Sequence, residues 1–102
     1  MKYKVKMSVE ADADFENYLN HIICEYDAPL TAVKHKDGIL DVLLDLSVNP
    51  YINAVRHNEF LLEFGMNVRR ANYKRMAIIY TIHENVVYVH RILAGSMVIG
   101  LN

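Results

Sequence analysis

The chain has one cysteine, Cys24, so it cannot form an internal disulfide. That composition suits a reducing compartment. It also lacks any apolar run long enough to suggest a membrane-spanning helix. The opening segment, "MKYKVKMSVEADAD", carries lysines but no apolar h-region, so it does not read as a secretion signal. There is no internal repeat, no low-complexity segment and no linker. These absences leave a single domain over residues 1–102, expected in the cytoplasm.

Strong net charge is missing as well. The formal charge is −1, which removes the default case for a nucleic-acid binder. That value conceals an asymmetry. Residues 1–65 carry six Lys/Arg against eleven Asp/Glu, whereas residues 66–102 carry five against one. The basic third would attract an acidic partner, while the acidic remainder opposes a general pull on polyanions. Hydrophobic residues make up 53%, a globular composition.

The hydrophobic pattern gives an order of elements. Residues 2–9 alternate, with Tyr3, Val5, Met7 and Val9 on one face and Lys2, Lys4, Lys6 and Ser8 on the other, which predicts a half-buried strand. The lysines keep its wet face soluble or guard an edge. Residues 10–26 read as a helix with the stripe Ala11, Phe15, Tyr18, Leu19, Ile22 and Tyr26. Pro29 biases Ala28 away from helix and breaks the chain. A second helix is expected from about Leu30 to Leu46, with Val33, Ile39, Leu40, Leu43, Leu44 and Leu46 as its apolar set and Gly38 as its weak point. Asn49 and Pro50 stop it. Residues 51–65 form an irregular connection, with "EFLLEFG" open to a strand reading.

From Met66 onward the pattern is β: "NVRRA", then "RMAIIYTI", then "VVYVHRIL". A hairpin at His83–Asn85 joins the last two, with Asn85 suited to positive φ. The short apolar tail from Ala94 should dock on something. The expected class is α+β, ordered β-α-α-β-β-β. Two antiparallel N-terminal helices pack on one face of a curved, mainly antiparallel sheet of about four strands. The sheet's other face is left to solvent or a partner.

The stretch "RRANYKR" places Arg69, Arg70, Lys74 and Arg75 within seven residues. If Asn72 and Tyr73 form the hairpin tip, Arg70 opposes Arg75, an arrangement that disfavours itself unless an anion is near. Arginine binds carboxylate or phosphate through a fork of two hydrogen bonds. Arg91 joins these as a candidate anion contact. Tyr80 lies in a row with Met76, Ile78 and Ile82 that reads as core. His90 reads as a structural histidine beside Val86, Tyr88 and Ile92, and His83 as an exposed hairpin residue. Among the five histidines and Cys24, the only pair at ligand spacing is His21 and Cys24 at i, i+3, too little to hold zinc. Neither a metal nor a cofactor is expected.

The sequence resembles the RelE/ParE toxins of type II toxin–antitoxin modules, also known as plasmid stabilisation proteins. The resemblance rests on "SVEADADFENYLNHI", on Pro29, Ala32, Leu46 and Pro50, on "NVRRANYKRMAIIYTI" and on "VVYVHRILAGS". It implies an antitoxin partner, a growth-inhibiting activity and one of two targets. ParE-like members block DNA gyrase without accepted catalytic residues. RelE-like members cut messenger RNA on the ribosome with basic side chains and a tyrosine or histidine. RelE-like chains often have an arginine where this one has Ala77, and basic residues and a tyrosine in a tail that here reads "AGSMVIGLN". Arg91, Ile92, Leu93 and Gly95 fit the ParE-like phrase, whereas Ala94, Met97 and Val98 depart from it.

The expectation is therefore a ParE-like gyrase blocker. The alternatives are an mRNA endoribonuclease, or a non-toxic member that only binds its antitoxin. Candidate catalytic residues for the nuclease are Arg69, Arg70, Arg75, His83 and Arg91. Candidate target or anion contacts are Arg69, Arg70, Lys74, Arg75 and Arg91. Candidate antitoxin contacts are Met66, Met97 and Val98, since methionine adapts to irregular partners. Joint loss of Arg69 and Arg70 is expected to reduce toxicity with the fold intact. No membrane partner is expected, and a homodimer is left open.

Overall fold

The computed structural model describes residues 3–98. The strands are β1 (Lys4–Met7), β2 (Arg69–Tyr73), β3 (Met76–His83) and β4 (Val86–Ala94), and the helices are α1 (Val9–Tyr26) and α2 (Pro29–Val48). The four strands form one sheet in the order β1-β4-β3-β2. β2, β3 and β4 pair antiparallel, and β1 joins the far side of β4 in parallel. The α+β class and the β-α-α-β-β-β order are as expected. The parallel β1–β4 pair follows from the helical hairpin that carries the chain from one edge back across the sheet.

β1 is shorter than the alternation predicts. Ser8 leaves the strand to cap α1, its Oγ accepting from the Ala11 N–H at 2.9 Å. The same hydroxyl donates to the His90 carbonyl at 2.7 Å, so one side chain starts the helix and ties it to β4. Val9 therefore belongs to α1 and is exposed. Lys2 lies outside the described residues, as does the tail beyond Val98. Asp27 takes a left-handed conformation (φ 46°) to end α1, and Pro29 opens α2 in its first turn.

Both helices cover one face of the sheet. Ala11, Ile39, Leu43 and Leu46 pack there against Ile78, Tyr80, Val87, Val89 and Ile92. Ala32 and Ser47 are buried in α2, while Val33, Leu40 and Leu44 of the expected apolar set are exposed. Gly38 is a place of close approach. A Cβ there would come within 2.2 Å of the Tyr73 ring.

The second face is not left bare. Residues 51–65 are irregular, but two 3-10 turns shape them, Pro50–Ile52 and Glu59–Phe64. The "EFLLEFG" segment is therefore a 3-10 turn and not a strand. Its Asn58 side chain accepts from the Phe60 N–H and its Gly65 ends it, which favours a turn over extension. Leu61 joins Val68, Ala77, Ile79, Leu93 and Val98 in a second core, with Phe60 and Phe64 packed against it. The tail docks here as far as Val98.

Candidate functional site

The basic stretch folds differently from its expected register. β2 runs to Tyr73, and the tip is Lys74–Arg75, with Lys74 at φ 51°. Arg70 therefore opposes Ile79, not Arg75. The two arginines of the pair also part company, because neighbouring strand residues point to opposite faces.

Arg69 opposes Tyr80 on the helix-covered side. Its guanidinium donates to the Asn53 carbonyl and lies 5.0 Å from the centroid of the Tyr51 ring. Arg69 thus fastens the 50–55 segment, and removing it would disturb that segment as well as the charge. Arg70 points to the second face. Its Nε donates to Asn72 Oδ1 at 2.7 Å. Its guanidinium lies against Gly95, where a Cβ would stand 2.9 Å from a terminal nitrogen. Partial burial, then the charge of Arg56, lowers its pKa. Lys74 and Arg75 are exposed at the tip, and the Arg75 carbonyl accepts from the Gly95 N–H at 2.7 Å.

Arg91 is engaged within the chain. Its Nε and a terminal nitrogen donate to the two oxygens of Asp14 at 2.7 and 2.9 Å. Asp14 also accepts the Ile92 N–H at 3.0 Å. The hydrogen bond that Arg91 donates to Asp14 raises the Arg91 pKa above its ordinary value. Arg91 is thus a clasp between α1 and β4, placed beyond the end of β1 where β4 would otherwise be an open edge.

The tyrosine and histidines of β3 and β4 are placed as follows. Tyr80 is fully buried, donates to the Pro50 carbonyl at 2.7 Å and receives a bond from Asn53 at 3.1 Å. Burial raises its pKa. It is the core residue that the alternation implied. His90 behaves otherwise. The β3–β4 register slips between Ile79 and Tyr80, leaving His90 as the extra residue of a bulge. Its Nε2 lies 2.8 Å from Thr81 Oγ1, and the Nε2 of His83 lies 3.2 Å from the same oxygen. Phe64 covers the His90 ring with centroids 5.5 Å apart. Burial, then the neighbouring His83, lowers the His90 pKa. The sequence offers no sign of this pair, because strict alternation hides a bulge.

Two apolar surfaces complete the picture. A shallow cleft of about 290 Å³ lies between α2 and β1, walled by Val5, Met7, Leu40, Leu43 and Leu44. Lys4 gives its N–H to the Asn85 carbonyl just before β4 and Ser8 gives its own to Val89 within it, so the main-chain groups of Val5 and Met7 face the free edge. On the opposite side, Met66 and Met97 are exposed, whereas Val98 is buried in the second core and is closed to a partner. Among the described residues, no three His, Cys, Asp or Glu side chains are placed to hold a metal ion. No described helix is long and apolar enough to cross a membrane.

Comparison with known proteins places this architecture. Residues 5–99 match the family profile of the ParE toxin of the type II toxin–antitoxin system parDE. The fold superimposes on a chain of the chromosomal ParDE toxin–antitoxin system of P. aeruginosa with a TM-score of 0.73. That match covers 91% of this chain and 96% of the other at 18% identity. It also superimposes on a chain of the RelBE2 toxin–antitoxin complex of Mycobacterium tuberculosis with a TM-score of 0.58. There the coverage is 92% and 99%, again at 18% identity. No curated protein matches the sequence at a significant level. With the profile spanning nearly all of the chain, the protein belongs to the ParE toxin family of type II toxin–antitoxin systems.

Proposed function

We propose that this chain is a toxin that arrests growth by binding a protein target, as a ParE-like blocker of DNA gyrase would, and that an antitoxin holds it inactive in the cytoplasm. The observation that carries this reading is how the cationic side chains are used. Arg69 and Arg91, two of the five nuclease candidates, are spent on Asn53 and Asp14. Tyr80 is sealed in the core. Phosphoryl transfer needs a base, an acid and a cation around one exposed phosphate. A binding surface needs none of these. The α2–β1 cleft, with its open strand edge, suits an antitoxin segment that adds a strand and fills the cleft with alternate side chains.

The ribonuclease reading keeps one observation in its favour, the two imidazoles that meet at Thr81. Pulse-labelling after induction in a bacterium without the antitoxin separates the two. Early loss of DNA synthesis supports the gyrase-type target. Early loss of translation that disappears in His83→Ala or His90→Ala overturns it in favour of RNA cleavage. Normal growth with soluble, folded protein favours a member that only binds its antitoxin.

A further inference from the structure

Arg69 lines a pocket of about 300 Å³ where β2 begins and β3 ends, together with Tyr51, Val55, Asn67 and Ile82. Among the described residues, the wall of this pocket holds no Asp or Glu. A cation there has no counter-charge beside it.

The arginine is held in place by the chain itself. The buried Tyr80 hydroxyl donates to the Pro50 carbonyl and receives a bond from the Asn53 side chain, which pins the segment between them. That segment supplies both the Asn53 carbonyl that accepts from Arg69 and the Tyr51 ring against its guanidinium. Tyr3 braces the Tyr51 ring edge-on, with centroids 6.2 Å apart. Val55 bridges the main chain of Arg69, and the Arg56 N–H donates to the Val68 carbonyl at 2.7 Å.

A guanidinium carries several N–H donors in a planar fork, and the Asn53 carbonyl takes one of them. Among the described residues, no ion pair and no second hydrogen bond uses the rest, and no buried side-chain nitrogen is left without a partner. The remaining donors of Arg69 are therefore open to solvent, and the pocket is the space they line. Arg91 shows what such a fork takes when it is filled, since both oxygens of Asp14 occupy it.

We propose that this pocket is a carboxylate site, in which the open donors of Arg69 hold the two oxygens and Asn67 closes the wall. Asn67 sits at φ 59°, a left-handed conformation that asparagine tolerates. A carboxylate fits better than a phosphate, because one guanidinium balances one negative charge. A polyanion is also opposed by the helical layer on this face of the sheet, where residues 9–48 hold nine Asp/Glu and two Lys. A free small acid and an acidic side chain of a bound protein present the same two oxygens. The site stands whether or not the chain arrests growth.

The isotope-labelled chain is titrated at constant ionic strength with sodium acetate, a blocked glycine–aspartate–glycine peptide, its asparagine counterpart and inorganic phosphate. Acetate and the aspartyl peptide should give saturable shifts of the Arg69 side-chain N–H and of the Val55 and Asn67 amides. The asparagine peptide should give none. Arg69→Lys keeps the charge and loses the fork, and should weaken binding about fivefold or more. Asn67→Asp puts a competing carboxylate in the wall without touching the Arg69–Asn53 bond, and should weaken it about tenfold. Each variant is checked for its folded spectrum, and should one lose it the other decides. Tighter binding of the peptide than of acetate upholds the site for an acid displayed by a protein. Equal or tighter binding of acetate upholds it for a free acid. Phosphate binding tighter than either, equal binding of the asparagine peptide, no saturable shifts, or undiminished binding in the folded variants would overturn the proposal.

Discussion

Arg91 lies in the phrase that most resembles the family, which invites a functional assignment, but its geometry makes it a clasp. Replacing Asp14 with alanine removes a charge-assisted fork worth about 1.5–3 kcal/mol per bond to a charged group. Most of that is recovered from water, because the Arg91 side chain is 34% exposed. The Ile92 N–H does not recover so easily, since Ile92 is only 2% exposed. An orphaned buried donor costs about 1–3 kcal/mol. The sum is about 2–3 kcal/mol, or roughly 10–20 °C in Tm for a domain of this size. Asp14→Asn keeps an acceptor for Ile92 and should lose only about 1 kcal/mol. Arg91→Ala should lose about 2 kcal/mol, because Asp14, 15% exposed, is left with one donor. A double-mutant cycle by urea unfolding should give a coupling of about 1–2 kcal/mol that survives moderate salt. Arg91→Ala with wild-type stability and lost toxicity would refute the reasoning and return Arg91 to the target surface.

Other consequences follow from single contacts. Gly38→Ala gains up to about 1 kcal/mol of helix propensity but drives a methyl into the Tyr73 ring, so thermal unfolding should show a net loss of about 1–3 kcal/mol. Tyr80→Phe leaves the Pro50 carbonyl and Asn53 without their partner and should lower stability by about 1–2 kcal/mol in urea. The lowered His90 pKa means that the unfolded chain takes up the proton first. Its contribution is whole above the ordinary value of 6.5 and is lost as pH falls from there through the folded value, so His90→Gln should flatten stability against pH below 6.5. A pH profile of unfolding that is unchanged by that substitution would count against it.

What the sequence revealed and what it hid divide along one line, whether a residue's role is set by its neighbours in the chain or by residues far away. The continuous apolar run found β3, and spacing found Ala11 and Ile22 in α1, because both signals lie between residues close in the chain. The capping role of Ser8 was not apparent, because the alternating lysines extended the apparent strand through it. The 59–64 segment was unreadable because its apolar residues follow no strand or helix period. They are arranged to cover Ile79 and Leu93, and that demand comes from across the sheet.

The basic cluster illustrates the same division. Composition alone shows four cations in seven residues, and it treats them as one group. Strand parity sends Arg69 inward to Asn53 and Arg70 outward to the second face, and the turn strands Lys74 and Arg75 at the tip. A group of charges in sequence is therefore not a group in space. On the second face Arg70 bonds to Asn72 and lies against Gly95, a contact supplied by the segment after β4 that the sequence did not reveal. That is why a single substitution at Arg70 tests the role of the cluster more sharply than the joint loss of Arg69 and Arg70. The double change would also release the 50–55 segment, and a loss of toxicity would then report folding as much as recognition.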